Sequence, residues 1–138
     1  MNAALLSSKS NEWATPRELF DKLNREFSFT LDPCATAENA KCPKFFTKEQ
    51  DGLKQEWGGE RVFMNPPYGR EIGKWVKKAY ESNTLAVCLL PARTDTVYFH
   101  EYILGKAEIR FIRGRIRFEG GKYPAPFPSM IVVFKSPP

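Results

Sequence analysis

Residues 85–90 read Leu-Ala-Val-Cys-Leu-Leu, an unbroken apolar run closed by Pro91. A strand with one wet face alternates apolar and polar residues. A continuous run therefore predicts a strand buried on both faces, in a sheet covered by helices. The run is far shorter than the roughly 18–20 apolar residues that cross a bilayer, so no membrane span is expected. A second compact run, Arg61-Val62-Phe63-Met64, stops at Asn65-Pro66-Pro67-Tyr68-Gly69, where two prolines cannot donate to a ladder. A shorter one, Phe29-Thr30-Leu31, stops at Asp32-Pro33 for the same reason.

Helical patterns lie between these runs. Leu19, Phe20, Leu23 and Phe27 form one apolar stripe, predicting a helix over 16–26 with Thr15 as cap and Pro16 as its first residue. Ile72, Trp75, Val76 and Ala79 place a second helix over 71–82, with Trp75 read as core. After Pro91, Thr94 or Asp95 can cap a third through Val97, Phe99, Tyr102, Ile103 and Leu104, ended by Gly105. His100, alone on that helix, is assigned no role. The stretch 34–59 has no sustained period and is expected to be loops with at most one short helix. Runs 108–112, 115–118 and 129–134 read as strands, with Gly114 turning between the first two and Gly120-Gly121 opening a longer loop.

Alternating strands and helices followed by a β-only tail predict a Rossmann-like α/β fold, mostly parallel with an antiparallel C-terminal edge. The short interval between Asp32 and Asn65 leaves no room for two strand–helix units, so the sheet is expected to be reduced in size. The 138 residues are read as a loose tail over 1–10 and a single domain over 11–138. In open sheets of this kind ligands bind beyond the carboxyl ends of the strands, which puts Asp32, Asn65 and Pro91 on one rim.

At 42% hydrophobic and 14% aromatic, the chain can bury a core. An excess of 21 Lys and Arg over 16 Asp and Glu, a net +5, favours a polyanionic partner. Cys34, Cys42 and Cys88 are an odd count without metal-ligand spacing, and Ala3, Ala4, Leu5 and Leu6 are no secretory segment. Neither a disulfide framework nor a metal site is expected, and a reducing cytoplasm is the expected compartment.

Asn65-Pro66-Pro67-Tyr68 is the segment most suited to chemistry. Adenine's exocyclic nitrogen is a poor nucleophile because its lone pair is delocalised into the ring. If Asn65 Oδ1 and the Pro66 carbonyl each accept one of its hydrogens, the nitrogen is drawn toward tetrahedral geometry and its lone pair toward an electrophile. Pro66 and Pro67 hold those acceptors still. Tyr68 can stack on a base flipped out of a duplex, a contact worth roughly 1–3 kcal/mol.

The chain resembles the DNA adenine methyltransferase family of phages and prophages, a compact relative of the Dam enzymes. The resemblance spans 11–134 and rests on Trp13-Ala14-Thr15-Pro16, Leu31-Asp32-Pro33-Cys34-Ala35, Asp51-Gly52-Leu53, Asn65-Pro66-Pro67-Tyr68, Arg115-Ile116-Arg117-Phe118 and Pro128-Ser129. It implies site-specific N6 methylation of adenine in double-stranded DNA from S-adenosylmethionine, in a bacterial host's cytoplasm. The implied catalytic set is Asn65, Pro66, Pro67 and Tyr68. By the same resemblance Trp13, Thr15 and Pro16 lie near the cofactor's methionine end, Asp32 at its amino group with Pro33, Cys34 and Ala35 beside it, and Asp51 near its adenine. For Asp51 an ordinary turn aspartate is the alternative. Methyltransferases of this fold usually carry a glycine-rich loop after the first strand, whereas this chain has Asp32-Pro33-Cys34-Ala35-Thr36. A reduced sheet or a contribution from Glu38 would answer that difference.

Arg93, Arg113, Arg115, Arg117 and Lys122 are the expected DNA contacts, Arg110 joining them in the basic tail; a solvated strand face is the alternative. Arg115 and Arg117 would point to one face of a strand, with Ile116 and Phe118 on the other. These residues leave no room for a separate target-recognition domain, so base readout is expected from short loops and the target to be short or relaxed. The expected state is a monomer or weak dimer. Two alternatives remain at this point: an inactive DNA-binding module of the same fold, or a methyltransferase acting on RNA or a protein amide.

Overall fold

The computed structural model describes residues 13–121 and 123–136. The tail over 1–10 and Lys122 lie outside the described residues.

The first helix, α1 (Arg17–Phe27), buries Phe20, Leu23 and Phe27. It starts one residue later than expected, and Thr15 does not cap it. Pro16 occupies the capping position with an extended backbone, and no side chain bonds the first turn. The helix closes at Ser28, whose left-handed backbone (φ 54°) returns its N–H to the Asn24 carbonyl, while Asn24 Oδ1 accepts from the Phe29 N–H at 2.8 Å.

Strand β1 is short, Leu31–Asp32, beginning two residues and ending one residue later than the expected run over 29–31. The stretch over 34–59 contains a strand that sequence patterning misses, β2 (Lys44–Phe45), and a single 3₁₀ turn, Gly52–Lys54. A two-residue strand is too short to leave a period, so only its partner reveals it. Strand β3 (Arg61–Met64) leads to α2 (Ile72–Glu81), and β4 (Leu85–Pro91) is buried at all seven positions. That burial is what its unbroken apolar sequence requires.

Residues after β4 turn into a short helix that widens to a π-helical segment, Phe99–Ile103. Its start is bonded by Thr96, not by Thr94 or Asp95: Thr96 Oγ1 accepts from the Phe99 N–H at 3.2 Å and donates to the Arg93 carbonyl at 2.9 Å. Strands β5 (Glu108–Phe111) and β6 (Ser129–Phe134) complete the sheet.

The six strands run in the order β2-β1-β3-β4-β6-β5. β2, β1, β3 and β4 are parallel, and β6 and β5 are antiparallel additions beside β4. This is the mostly parallel α/β sheet with an antiparallel C-terminal edge that the patterning predicts. Because β1, β3 and β4 are parallel, their carboxyl ends place Asp32, Asn65 and Pro91 on the same rim.

The expected strand over 115–118 is irregular backbone instead. Its alternation survives without a ladder: Ile116 and Phe118 are buried, Arg115 and Arg117 exposed, with the Ala125 N–H donating to the Ile116 carbonyl at 2.7 Å. Packing of two apolar side chains against the body of the protein enforces the period that a sheet would otherwise impose.

Candidate active site

Two carboxyl-end loops meet at Asp32. The carboxylate is buried; Oδ1 accepts from the Cys34 N–H at 3.3 Å and Oδ2 from the Lys41 N–H at 3.4 Å. Burial, only partly offset by those bonds and by Lys41, raises Asp32 from its ordinary 3.8 to about 6. An ionised carboxylate here gains from any cation brought beside it. Lys41 Nζ is itself engaged with the Glu119 carboxylate at 3.2 Å.

The Asp51–Leu53 turn is pressed onto the same loop. Asp51 adopts a left-handed backbone (φ 55°), and its side chain accepts from the Leu53 N–H at 3.1 Å. Gly52 follows because nothing larger fits: a Cβ there would stand 1.9 Å from the Pro33 carbonyl oxygen and 3.0 Å from the Trp75 ring. Trp57 donates to the Gly52 carbonyl at 3.0 Å and stacks on Trp75, so Trp75 is core as expected. Glu38 is exposed.

Asn65 follows β3. Its Nδ2 donates to the Trp13 carbonyl and, at 2.9 Å, to Thr15 Oγ1. A carbonyl can only accept, so the nitrogen end of the amide must face Trp13. That leaves Oδ1 buried and without a hydrogen-bond partner among the described residues. Such an acceptor costs about 1–3 kcal/mol and calls for an explanation. The Asn65 carbonyl accepts from the Cys34 thiol at 3.3 Å, tying the β1 loop to the start of the Pro-Pro turn. Burial and the nearby Asp32 push that thiol's pKa well up, so it stays a neutral donor.

Beyond the turn, Gly69 takes φ 119°, which lets the chain swing from Tyr68 into α2. Tyr68 is buried, and its hydroxyl donates to the Leu89 carbonyl at 3.1 Å, so the ring is fixed in place. It forms one wall of a pocket of about 350 Å³, within the size range of small-molecule sites. Trp13, Phe127, Tyr98, Ile72 and Arg93 form much of the rest. The Trp13 ring packs on Phe118 at 5.3 Å and on Phe127 at 5.4 Å, and Tyr68 meets Phe127 edge-on at 5.6 Å. An aromatic chamber, one of whose walls, Trp13, is bonded through its backbone to an amide with an unpaired buried oxygen, suits a flat heterocycle bearing an amino group.

The family model for DNA N-6-adenine-methyltransferase (Dam) matches residues 2–135. The chain belongs to this DNA N-6-adenine-methyltransferase family. It is 37% identical over 118 residues to the DNA N-6-adenine-methyltransferase of Escherichia phage T1, a match covering 80% of this chain and 49% of the relative. It is 33% identical over 117 residues to the DNA N-6-adenine-methyltransferase of Haemophilus phage HP1, covering 80% of this chain and 68% of that relative. The chain thus spans about half the length of the first relative and two thirds of the second.

Within this Dam-family chain the rim draws together Trp13, Thr15, Asn65 and Cys34 by direct contact, with Tyr68 lining the same pocket as Trp13, and Asp51 with Asp32 through Gly52 and Pro33. Arg93 lies at the pocket, its guanidinium over the Phe127 ring at 6.0 Å. Arg113, Arg115 and Arg117 are exposed on the long β5–β6 connection. Arg110 does not belong with them: it forms a bidentate pair with Glu26 at 2.7 Å, also bonds Glu108, and lies over Phe27. Phe118 and Phe127 gain a role that sequence spacing does not disclose. They appear there only as aromatics among arginines, and it is the fold of the β5–β6 connection that turns them onto Trp13 and Tyr68.

Proposed function

We propose that this chain methylates the exocyclic amino group of adenine in double-stranded DNA, using S-adenosylmethionine as donor. The observation that carries the reading is the Asn65 amide: its hydrogens are consumed by Trp13 and Thr15, which leaves a buried, unpaired Oδ1 on a residue bonded to Trp13, itself a wall of the aromatic pocket. Such an oxygen accepts one hydrogen of a flipped adenine's amino group, with the Pro66 carbonyl as the second acceptor. Drawing both hydrogens to one side tilts the nitrogen lone pair toward the methyl donor, an effect preorganised by the Pro66-Pro67 backbone. Tyr68, Trp13 and Phe127 sandwich the base and keep water from it.

The cofactor, when bound, supplies a methyl group activated on a sulfonium. The residues fit it: Asp32, a buried carboxylate raised to about 6, is the partner for its ammonium, with Pro33, Cys34, Ala35, Trp13 and Pro16 around that end and Asp51 at the far end. No strong base is required, since the nitrogen becomes strongly acidic once methylated and gives up its proton to solvent as the methylated base leaves the site. Arg93, Arg113, Arg115 and Arg117 hold the DNA backbone.

The test is methyl transfer from labelled S-adenosylmethionine to unmethylated duplex DNA, read by nucleoside mass analysis. N6-methyladenine is expected, falling by about 10²–10³ in Asn65→Ala, the scale of losing one preorganised polar contact to the reacting atoms. Absence of label in every nucleoside, with DNA binding intact, would replace this reading by a binding module of the same fold.

A further inference from the structure

The resemblance places Thr15 at the cofactor, and the helical pattern makes it a cap; in the structure it does not cap, and its hydroxyl accepts from the Asn65 amide. We infer that Thr15 is a positioning residue for the Asn65 amide, its hydroxyl holding the nitrogen end so that Oδ1 is the atom left without a protein partner and available to substrate. The inference rests on the reading of Asn65 given above.

An asparagine amide has two ends of nearly equal size, and turning it over exchanges an acceptor for a pair of donors. Facing an amino group, the donor end would be repelled and no hydrogen would be drawn from the reacting nitrogen. The neighbours of the amide therefore decide whether the site works. Two acceptors stand together at one end of it: the Trp13 carbonyl, and Thr15 Oγ1 at 2.9 Å. Thr15 is buried, at 4% exposure.

The segment that carries both acceptors is itself held. The Ala14 carbonyl accepts from the Glu119 N–H at 2.9 Å, and the Trp13 indole packs on Phe118 and Phe127. Capping does not account for the hydroxyl, since no side chain bonds the first turn of α1 and the Phe20 N–H goes to the Pro16 carbonyl at 3.1 Å. The Trp13 carbonyl, which can only accept, sets which end of the amide faces it, and the Thr15 hydroxyl is the side chain that holds that end in place.

The experiment compares Thr15→Val, Thr15→Ala, Thr15→Ser and Asn65→Ala in the full chain. It measures kcat and KM on a duplex oligonucleotide and the calorimetric Kd for S-adenosylmethionine. Thr15→Val keeps the shape and removes the acceptor, and kcat is expected to fall roughly ten- to a hundredfold from the loss of one buried hydrogen bond. The cofactor Kd is expected to stay within about twofold, and Thr15→Ser to return kcat to within about threefold, since only the acceptor is at issue. Combined with Asn65→Ala, Thr15→Val should cost nothing further, because the group it positions is gone.

If Thr15→Val fails to fold by circular dichroism, Thr15→Ala against Thr15→Ser reads the same contrast. A weakened cofactor Kd with unchanged saturated kcat would overturn the inference and return Thr15 to the cofactor site. Unchanged kcat alongside an inactive Asn65→Ala would also overturn it, while leaving the reading of Asn65 intact. An active Asn65→Ala would sink both.

Discussion

Asp32 carries two conflicting demands. Its burial opposes ionisation, raising it from 3.8 to about 6, yet its proposed work is to face an ammonium as an anion. A carboxyl whose folded pKa is raised stabilises the fold while protonated, below 3.8, and that contribution is lost as pH climbs to about 6. Comparing denaturant unfolding of the unmodified chain with Asp32→Asn across that window should show a difference in stability that changes by on the order of 3 kcal/mol, the unmodified chain losing ground as pH rises. A flat difference would mean Asp32 is not buried as an acid. The same titration appears in binding: below pH 6 the cofactor must expel a proton to pair with Asp32, so calorimetry in buffers of different ionisation enthalpy should detect proton release that vanishes above about pH 7. Asp32 and Asn65 are legible in the sequence as polar strand ends before proline. Their states are not, because desolvation and the partners of an amide are set by atoms far along the chain.

Among the elements, the 3₁₀ turn at Gly52–Lys54 shows how a loop is fixed by one close approach. Gly52 meets the Pro33 carbonyl backbone to backbone, so neither side has a flexible end to move. Gly52→Ala is expected to destabilise the chain by about 1–3 kcal/mol in urea unfolding, the usual cost of overpacking, and to weaken cofactor binding by parting Asp51 from Asp32. Gly58→Ala is the control, because a Cβ there meets nothing within 4 Å and the change should stay within about 0.5 kcal/mol. Helices α1 and α2 and strands β3 and β4 follow directly from their spacing, since each buries a stripe or a whole strand. β2 does not, having only two residues, and 115–118 gives a false strand signal. Alternation reports which side chains are buried: Ile116 and Phe118 are buried without any ladder, Phe118 against Trp13 and Phe127.

Over the whole molecule, charge is divided between structure and contact. Arg110 joins α1 to β5 through Glu26 and Glu108, whereas Arg113 and Arg115 stand exposed on the connection that also walls the pocket. Plotting log affinity for duplex DNA against log salt should give a slope reduced by about one for each of Arg113→Ala and Arg115→Ala, and unchanged for Arg110→Ala. An altered slope for Arg110→Ala would place DNA on the α1 side instead. The sequence by itself determined the parallel α/β sheet, its antiparallel edge, and the alignment of Asp32, Asn65 and Pro91 on one rim, because those properties reside in apolar runs and prolines adjacent along the chain. Only the tertiary structure decided which end of the Asn65 amide is held, through acceptors 50 and 52 residues away, and which aromatics enclose the pocket. Spacing along a chain encodes which faces are buried; the partner each buried group meets is set when distant segments pack.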